Sequence, residues 1–357
     1  MESTEKLYLS RLDHLRFLAA YLVLCWHFVH RKFVDPGYVP SFFPLSLLEE
    51  GHTGVSLFMV LSGFIFQYIN AGKEIIYGRF VRNRLLRIAP LFILWNLYHV
   101  YVGGFDPLKA VVNGLLLIDP RQTPGVAWTI VVEFQFYLLF PFLHKWIERK
   151  RGVKNMLGLL LMLFLIRSLA YGETHTAQEI SYWTIFGRLD QFLIGMLAAH
   201  LYRRVKINGV MAFTAVGAGL LGSMALMHLF NRMGGFYAEA SGRSTNPIWL
   251  VFPDAEALCY ATLLLGYIAL PVALLPRSVD RLLARCGEFS YSAYWCHVSL
   301  VVLLHALLQK AGIVLSGFPQ ALIVCTFVAV PVVFAFSGLT YHLVEKPFLL
   351  MRQKHTV

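Results

Sequence analysis

The sequence contains few charged residues. Asp, Glu, Lys and Arg together make up 14% of its 357 residues, whereas soluble domains carry roughly a quarter. Hydrophobic residues supply 57% of the chain, and apolar stretches of about 20 residues recur from one end to the other. The composition therefore predicts an all-α integral membrane protein, built as a single polytopic domain over 1–357 with no extra soluble domain.

The sequence also lacks cysteine pairs at the spacing of metal ligands. None of its five cysteines forms a CxxC motif, and all lie in or beside apolar segments: Cys25, Cys259, Cys286, Cys296 and Cys325. Such residues are typical of small buried side chains, so we expect neither a disulfide framework nor a metal. The net charge of +11 is explained by basic cytoplasmic loops. We therefore expect contact with membrane lipids and not with nucleic acid.

Ten apolar segments are long enough to cross a bilayer as helices. They lie at about 14–31, 51–70, 86–104, 127–146, 154–171, 184–203, 209–230, 255–275, 288–309 and 318–343. A further apolar segment, 108–118, is too short to cross and is expected at the interface or as a re-entrant segment.

The basic residues indicate how these helices are oriented. If the amino terminus lies in the cytoplasm, five basic clusters face the cytoplasm as well: 73–87, 145–154, 203–206, 277–285 and 346–354. The opposite loops carry only scattered positive charges. This positive-inside pattern predicts that both termini are cytoplasmic.

Arg16 and His27 lie in an otherwise apolar helix. Eleven residues advance a helix by about 16 Å and nearly complete three turns, so both side chains lie on one face. Ionisable groups are costly inside a bilayer, which makes such a pair a candidate functional site. The alternative is that Arg16 snorkels to the interface and His27 bonds a neighbouring helix.

Glu133 is expected at a depth similar to that of His27. In the predicted topology His27 lies about 6 Å from the outer end of its helix, and Glu133 about 7 Å below the outer surface. A carboxylate there could orient the imidazole of a general base. The two residues could equally be bonded elsewhere, because the sequence does not show that their helices touch.

Three arginines, Arg82, Arg84 and Arg87, lie at the predicted cytoplasmic start of the third span. Guanidinium groups bind phosphate bidentately, so the cluster suits a phosphorylated ligand. Ordinary anchoring of the helix by positive charge is the alternative.

Three other polar residues are candidates for supporting roles. Ser62, beside Gly63, and His297 both lie near mid-membrane, where helix packing or an interhelical hydrogen bond would also explain them. Glu345 is expected at the level of Arg16, which predicts an ion pair between the two.

Six segments of the sequence occur in a recognisable order: Leu12–Arg16 with His27, Gly54–Phe64, Arg79–Pro90, Trp128–Tyr137, Ser290–His297 and Glu345–Phe348. Together they resemble the membrane acyltransferase-3 family, whose members O-acylate cell-surface carbohydrates. The sequence departs from the family pattern at His14, Thr129 and Phe134, where Gly, Ser and Glu are common. None of these departures removes a candidate site residue.

The resemblance implies an acyl-CoA donor, usually acetyl-CoA, and a hydroxyl acceptor on a glycan or lipid-linked oligosaccharide. The family's arginine–histidine pair maps onto Arg16 and His27, and its glutamate onto Glu133. Its arginine-rich donor segment maps onto the cluster at 82–87. The expected protein is a stand-alone, multi-pass enzyme of the bacterial inner membrane.

In this interpretation His27 removes the proton of the acceptor hydroxyl while Glu133 orients it. Ser62 or His297 would donate to the oxyanion formed from the thioester. Direct transfer and an acyl-histidine intermediate are both open. The rivals are a transporter or flippase for a lipid-linked sugar, although no interrupted helices occur in matching halves, and a haem protein ligated by His27 and His297.

Overall fold

The computed structural model of the protein describes residues 2–30, 42–104, 106, 108, 126–237 and 244–357, with side chains from Ser10 onward. Within these ranges the chain is almost entirely helical and has no strand; Ile75 and Thr356 form one isolated β-bridge. The predicted all-α class is therefore confirmed. The short apolar segment predicted at 108–118 lies outside the described residues, apart from Leu108.

In the described ranges the α-helices are, in chain order, α1 (Glu2–Val29), α2 (Ser46–Glu49), α3 (Gly54–Asn70), α4 (Tyr77–Gly103), α5 (Ala127–Ile147), α6 (Gly152–Thr174), α7 (Ala177–Trp183), α8 (Ile185–Tyr202), α9 (Gly209–Arg232), α10 (Phe252–Ala269), α11 (Arg277–Glu288), α12 (Ser290–Lys310), α13 (Phe318–Val324), α14 (Val330–Thr340) and α15 (Lys346–Leu349). Two π-helical turns, Cys325–Ala329 and Tyr341–Glu345, join the last three into one run.

Eight helical runs in the described residues are long and apolar enough to cross a membrane. They are Ser10–Val29, Gly51–Asn70, Tyr77–Gly103, Ala127–Ile147, Gly152–Thr174, Gly209–Arg232, Ser290–Lys310 and Phe318–Leu349. The other two predicted spans coincide with α8 and α10, which are helices of 18 residues each. The count of ten spans and the cytoplasmic location of both termini stay predictions.

The chain divides into two compact units. The first comprises Met1–Phe58, Ile207–Ala238 and Leu258–Tyr341. In this unit glycine lets the chain approach α1 closely. A Cβ on Gly51 would lie 2.1 Å from the carbonyl oxygen of Leu22, and one on Gly54 would lie 2.3 Å from that of Ala19. Any side chain at these two positions would therefore displace the segment from α1.

The second unit comprises Met59–Lys206, Glu239–Ala257 and His342–Val357. Here α3 and α8 pack backbone against backbone through reciprocal glycines. A Cβ on Gly63 would lie 2.0 Å from the carbonyl oxygen of Phe192, and one on Gly195 would lie 2.2 Å from that of Val60. Small residues allow the close helix approach that stabilises membrane bundles, so the packing role considered for Gly63 is observed.

Buried ion pairs connect three helices of the second unit. Arg167 of α6 is fully buried and pairs with Asp190 of α8 and Asp254 of α10. Arg188, also on α8, lies 3.9 Å from Glu256 of α10. Breaking such a pair would leave an uncompensated buried charge, which is strongly destabilising. These contacts explain how α8 and α10 can carry charges in the interior of the unit.

Candidate active site

The structure brings His27 and His297 together in the first unit. His27 lies in the last turn of α1, and His297 lies two turns into α12. Their ring centroids are 4.9 Å apart and their planes are inclined at 56°. His297 is buried and His27 is half-buried. The sequence marked each histidine as a candidate but gave no sign that the two rings are in contact.

Backbone carbonyl groups determine where His297 carries its proton. Its Nδ1 lies 2.6 Å from the carbonyl oxygen of Tyr294 and 3.2 Å from that of Ala293. Because a carbonyl oxygen only accepts, Nδ1 must donate, and in the neutral ring Nε2 then carries the lone pair. Neutral His297 is therefore suited to accept a hydrogen bond. The oxyanion-donor role predicted for it would require the doubly protonated ring.

A small cavity adjoins His297 within the first unit. It is lined by apolar side chains of α1, α12 and α14 together with this histidine: Ala20, Val23, Leu24, Ala293, Tyr294, Val333 and Phe334. The cavity leaves about 10 Å³ for the centre of a water molecule, which is room for about one such molecule. The lining is apolar except for His297 and the hydroxyl of Tyr294, so the cavity suits a small apolar group.

Arg16 has a partner on its own helix. Its Nη1 donates to Oδ1 of Asp13 at 2.6 Å, and both side chains are partly exposed. Glu345, the predicted partner of Arg16, instead pairs with Arg87 in the second unit. The predicted ion pair is therefore not the one found. A neighbour three residues away on a helix is always within reach, whereas a distant carboxylate must be brought there by the fold.

The last residue of α2, Glu49, and the residue after it, Glu50, form an acidic pair that sequence reasoning missed. Asn231 of α9 donates to Glu49 at 2.7 Å and to Glu50 at 3.0 Å, and His52 lies 3.2 Å from Glu50. Burial, together with the charge of Glu50, raises the pKa of Glu49 to about 7. Burial also opposes ionisation of Glu50, but His52 and Asn231 outweigh it and hold the pKa of Glu50 below its usual range.

This acidic pair lies close to the candidate base along α1. The ring of His52 is 5.9 Å from that of Trp26, and Trp26 contacts the ring of His27 at 4.7 Å. The sequence does contain a sign of this acidic pair: two adjacent acidic residues, Glu49 and Glu50, directly precede a predicted span.

Glu133 is held by two hydroxyl groups in the second unit. Ser62 of α3 donates to its Oε1 at 3.1 Å, and Tyr137, one turn along α5, donates to the same oxygen. Ser62 thus gives its only hydrogen to Glu133, which leaves none for an oxyanion in this arrangement. The orientation of His27 by Glu133 stays a prediction, because the two residues belong to different units.

The three candidate arginines of α4, Arg82, Arg84 and Arg87, have different environments. Arg87 forms an ion pair with Glu345, which is fully buried. The guanidinium of Arg84 lies over the ring of Phe66 at 4.8 Å, a cation–π distance. Arg82 is exposed and donates to the carbonyl oxygen of Met351 at 3.1 Å. The sequence analysis grouped these arginines as one cluster. In the structure, Arg87 is paired with a buried carboxylate, whereas Arg82 is exposed to solvent.

These features define a polytopic helical membrane protein with ionisable side chains within its long apolar helices. Residues 9–338 match the family model described as an acyltransferase domain, so the chain belongs to the membrane acyltransferase-3 family. The predicted family is confirmed, and with it acyl transfer as the activity.

Two relatives have informative names. The chain is 24% identical over 327 residues to ORF330 of Acidianus two-tailed virus, provisionally named an acetyltransferase, covering 87% of this chain and 88% of that protein. It is 24% identical over 322 residues to the exopolysaccharide production protein ExoZ of Rhizobium meliloti (strain 1021), covering 84% and 90%. No solved structure matches the chain.

Proposed function

We propose that the protein is an acyl-CoA-dependent O-acyltransferase of a bacterial inner membrane, which moves an acetyl group to a hydroxyl of a cell-envelope or exported glycan. Membership of the family supports acyl transfer, and the name of the relative ExoZ supports a polysaccharide acceptor. The observation that carries the proposal is the contact of His27 with His297 within membrane-spanning helices. Two imidazoles in contact can hold and move a proton where few other groups could.

The proposed donor is recognised at two points. Its phosphates meet the arginines of α4, where Arg82 is exposed, because guanidinium groups form charge-assisted hydrogen bonds to phosphate. Its acyl group lies beside His297, where the small apolar cavity favours a methyl group over a longer chain. In this proposal residues 1–357 form one ten-span domain with both termini in the cytoplasm, so that the arginines face the cytoplasmic pool of acyl-CoA.

The proposed chemistry uses His27 as the general base. His27 accepts the proton of the acceptor hydroxyl as the oxygen attacks the carbonyl carbon of the thioester. A carbon–oxygen bond forms, the carbon–sulfur bond breaks, and the thiol of CoA leaves with the proton. The ring of His297 packs against that of His27 and limits its orientation, and in this proposal Glu133 supports the charged form of the base.

The direct test uses purified protein reconstituted in vesicles with acetyl-CoA and an isolated cell-surface polysaccharide. We expect protein-dependent release of free thiol and one acetyl mass increment per modified sugar. Retention of the thioester with movement of the glycan across the vesicle membrane would favour the flippase alternative and overturn the proposal.

A further inference from the structure

Residues 351–357, termed the strap, lie along the start of α4 in the second unit. Thr356 pairs with Ile75 in an antiparallel bridge. The amide of Val357 donates to the carbonyl of Glu74 at 3.0 Å, and the amide of Ile76 donates to that of His355 at 2.9 Å. Backbone hydrogen bonds thus connect the strap to the residues that directly precede α4.

A buried asparagine fixes the register of the strap. Asn83 of α4 donates through Nδ2 to the carbonyl of Gln353 at 2.6 Å, and its Oδ1 accepts from the amide of Gln353 at 3.0 Å. Its side chain is 1% exposed. This amide therefore satisfies both polar groups of one strap residue, and losing it would leave buried polar atoms unpaired.

His355 forms a second attachment. Its Nε2 lies 3.2 Å from Oδ1 of Asn70, and its Nδ1 lies 3.4 Å from Nδ2 of Asn83. The Nδ2 of Asn70 donates to the carbonyl of Phe66, which leaves Oδ1 as the acceptor facing the imidazole. His355 therefore donates through Nε2 and accepts through Nδ1, as a neutral ring does.

Positive charges converge on this attachment from three parts of the chain. Burial lowers the pKa of His355, and the charges of Arg84, Lys73 and Arg352 lower it further. Arg82 adds a fourth cation, since its guanidinium holds the strap carbonyl of Met351. Arg352 is exposed at the surface of the strap.

We propose that the strap and the start of α4 form one anion site, in which Arg352 binds the phosphate groups of the acyl donor together with Arg82. The inference rests on the proposed function, since CoA is the polyphosphate concerned. The attachments through Asn83 and His355 position Arg352, which lies 270 positions from Arg82 in the chain. Arginine suits this task because its planar fork matches phosphate oxygens.

The test measures equilibrium binding of unacylated CoA to the purified full-length protein in detergent. Arg352→Gln should weaken CoA binding about tenfold, as expected for loss of one charge-assisted hydrogen bond, with a smaller effect in high salt. His355→Ala keeps Arg352 but loosens the strap, so it should weaken CoA binding in the same direction. Lys150→Gln is the matched control, since Lys150 is an exposed cation of the same unit, and should bind CoA as the unaltered protein does.

Each of three results would overturn the inference, and each would lead to a different conclusion about the site. Equal CoA affinity for Arg352→Gln and Lys150→Gln would exclude Arg352 while leaving the proposed function intact. Failure of the unaltered protein to bind CoA would overturn the proposed donor together with the strap site. Unchanged CoA binding by Arg352→Gln combined with lost binding of phosphatidylglycerol vesicles would assign the surface to lipid headgroups.

Discussion

The Nδ1 of His297 donates to the carbonyl oxygen of Tyr294 at 2.6 Å. Because Nδ1 carries the proton, the other nitrogen, Nε2, is an acceptor in the neutral ring. The centroid of this ring lies 4.9 Å from the centroid of the His27 ring. A base whose ring packs against a fixed neighbour keeps its reactive nitrogen in a defined direction.

His27→Ala should reduce kcat for acyl transfer by about 10²–10⁴-fold, the usual contribution of a general base. His297→Ala should also reduce kcat, and the double variant should be no worse than His27→Ala, because the two residues act as a unit. His305→Ala is the matched control, since His305 of α12 is a buried histidine that packs on Phe28 of α1 at 4.4 Å. Steady-state kinetics with the reconstituted protein provide the measurement. Fully additive losses would separate His297 from His27.

Glu133→Gln should reduce kcat by about 10²-fold if the carboxylate supports the charged base, because glutamine keeps the shape and removes the charge. Tyr137→Phe, which removes one of the two hydroxyl donors to Glu133, should have a smaller effect. Glu173→Gln, an exposed position at the end of α6, serves as the control. Normal turnover by well-inserted Glu133→Gln would make the carboxylate a structural contact between α3 and α5.

Arg87→Gln should destabilise the protein by about 3 kcal/mol, since it removes the ion-pair partner of a buried carboxylate. Glu345 is fully buried, whereas the side chain of Arg87 is 22% exposed. The double variant Arg87→Gln with Glu345→Gln should recover most of the lost stability, because no charge is then left buried. Thermal unfolding in detergent measures both. An Arg87→Gln protein as stable as its parent would mean that the pair contributes nothing.

Stability should depend on pH through Glu49. Its pKa is about 7 in the folded protein and 4.5 ordinarily, so the folded state binds this proton more tightly. The stabilisation is complete below about pH 4.5 and is lost as the pH rises through 7. Glu49→Gln should therefore match the unaltered protein at pH 4 and unfold at a higher temperature at pH 8.

Glu50→Gln is the control for that experiment, because it is expected to change the unfolding temperature at pH 8 in the opposite direction. The pKa of Glu50 is held below its usual range by His52 and Asn231, despite burial, so its carboxylate stabilises the fold above that range. Removing the charge should lower the unfolding temperature at pH 8. If the difference between Glu49→Gln and the unaltered protein does not change with pH, Glu49 does not titrate in this range.

The cavity beside His297 should limit the length of the acyl chain. Val333→Ala removes part of its wall and should raise the ratio of kcat/KM for propionyl-CoA over acetyl-CoA by about tenfold, the low end of the discrimination given by one methylene. Val301→Ala, a buried position of α12 outside the lining, should leave the ratio unchanged. A ratio that moves equally in both variants would assign the effect to general loosening.

Much of the fold could be predicted from the amino-acid composition and from the length of the apolar segments. Long apolar runs predicted helices, because a bilayer requires satisfied backbone groups over a fixed length. In the part of the chain that the structure describes, each of the eight runs long enough to span overlaps a predicted span. Ion pairs within a helix, such as Arg16 with Asp13, can be predicted from spacing alone, whereas the sequence analysis predicted Glu345 as the partner of Arg16. The pairing of Glu345 with Arg87 could not be predicted, because 258 residues separate them.

The sequence alone determined the class of the protein, the positions of its long apolar helices and the family, since each depends on residue type and order along one chain. The tertiary structure decided which polar groups meet: His27 with His297, Ser62 with Glu133, and the strap with Asn83. The physical reason is that side-chain hydrogen bonds and ion pairs act over about 3–4 Å. Residues distant in sequence reach that range only after the helices have packed.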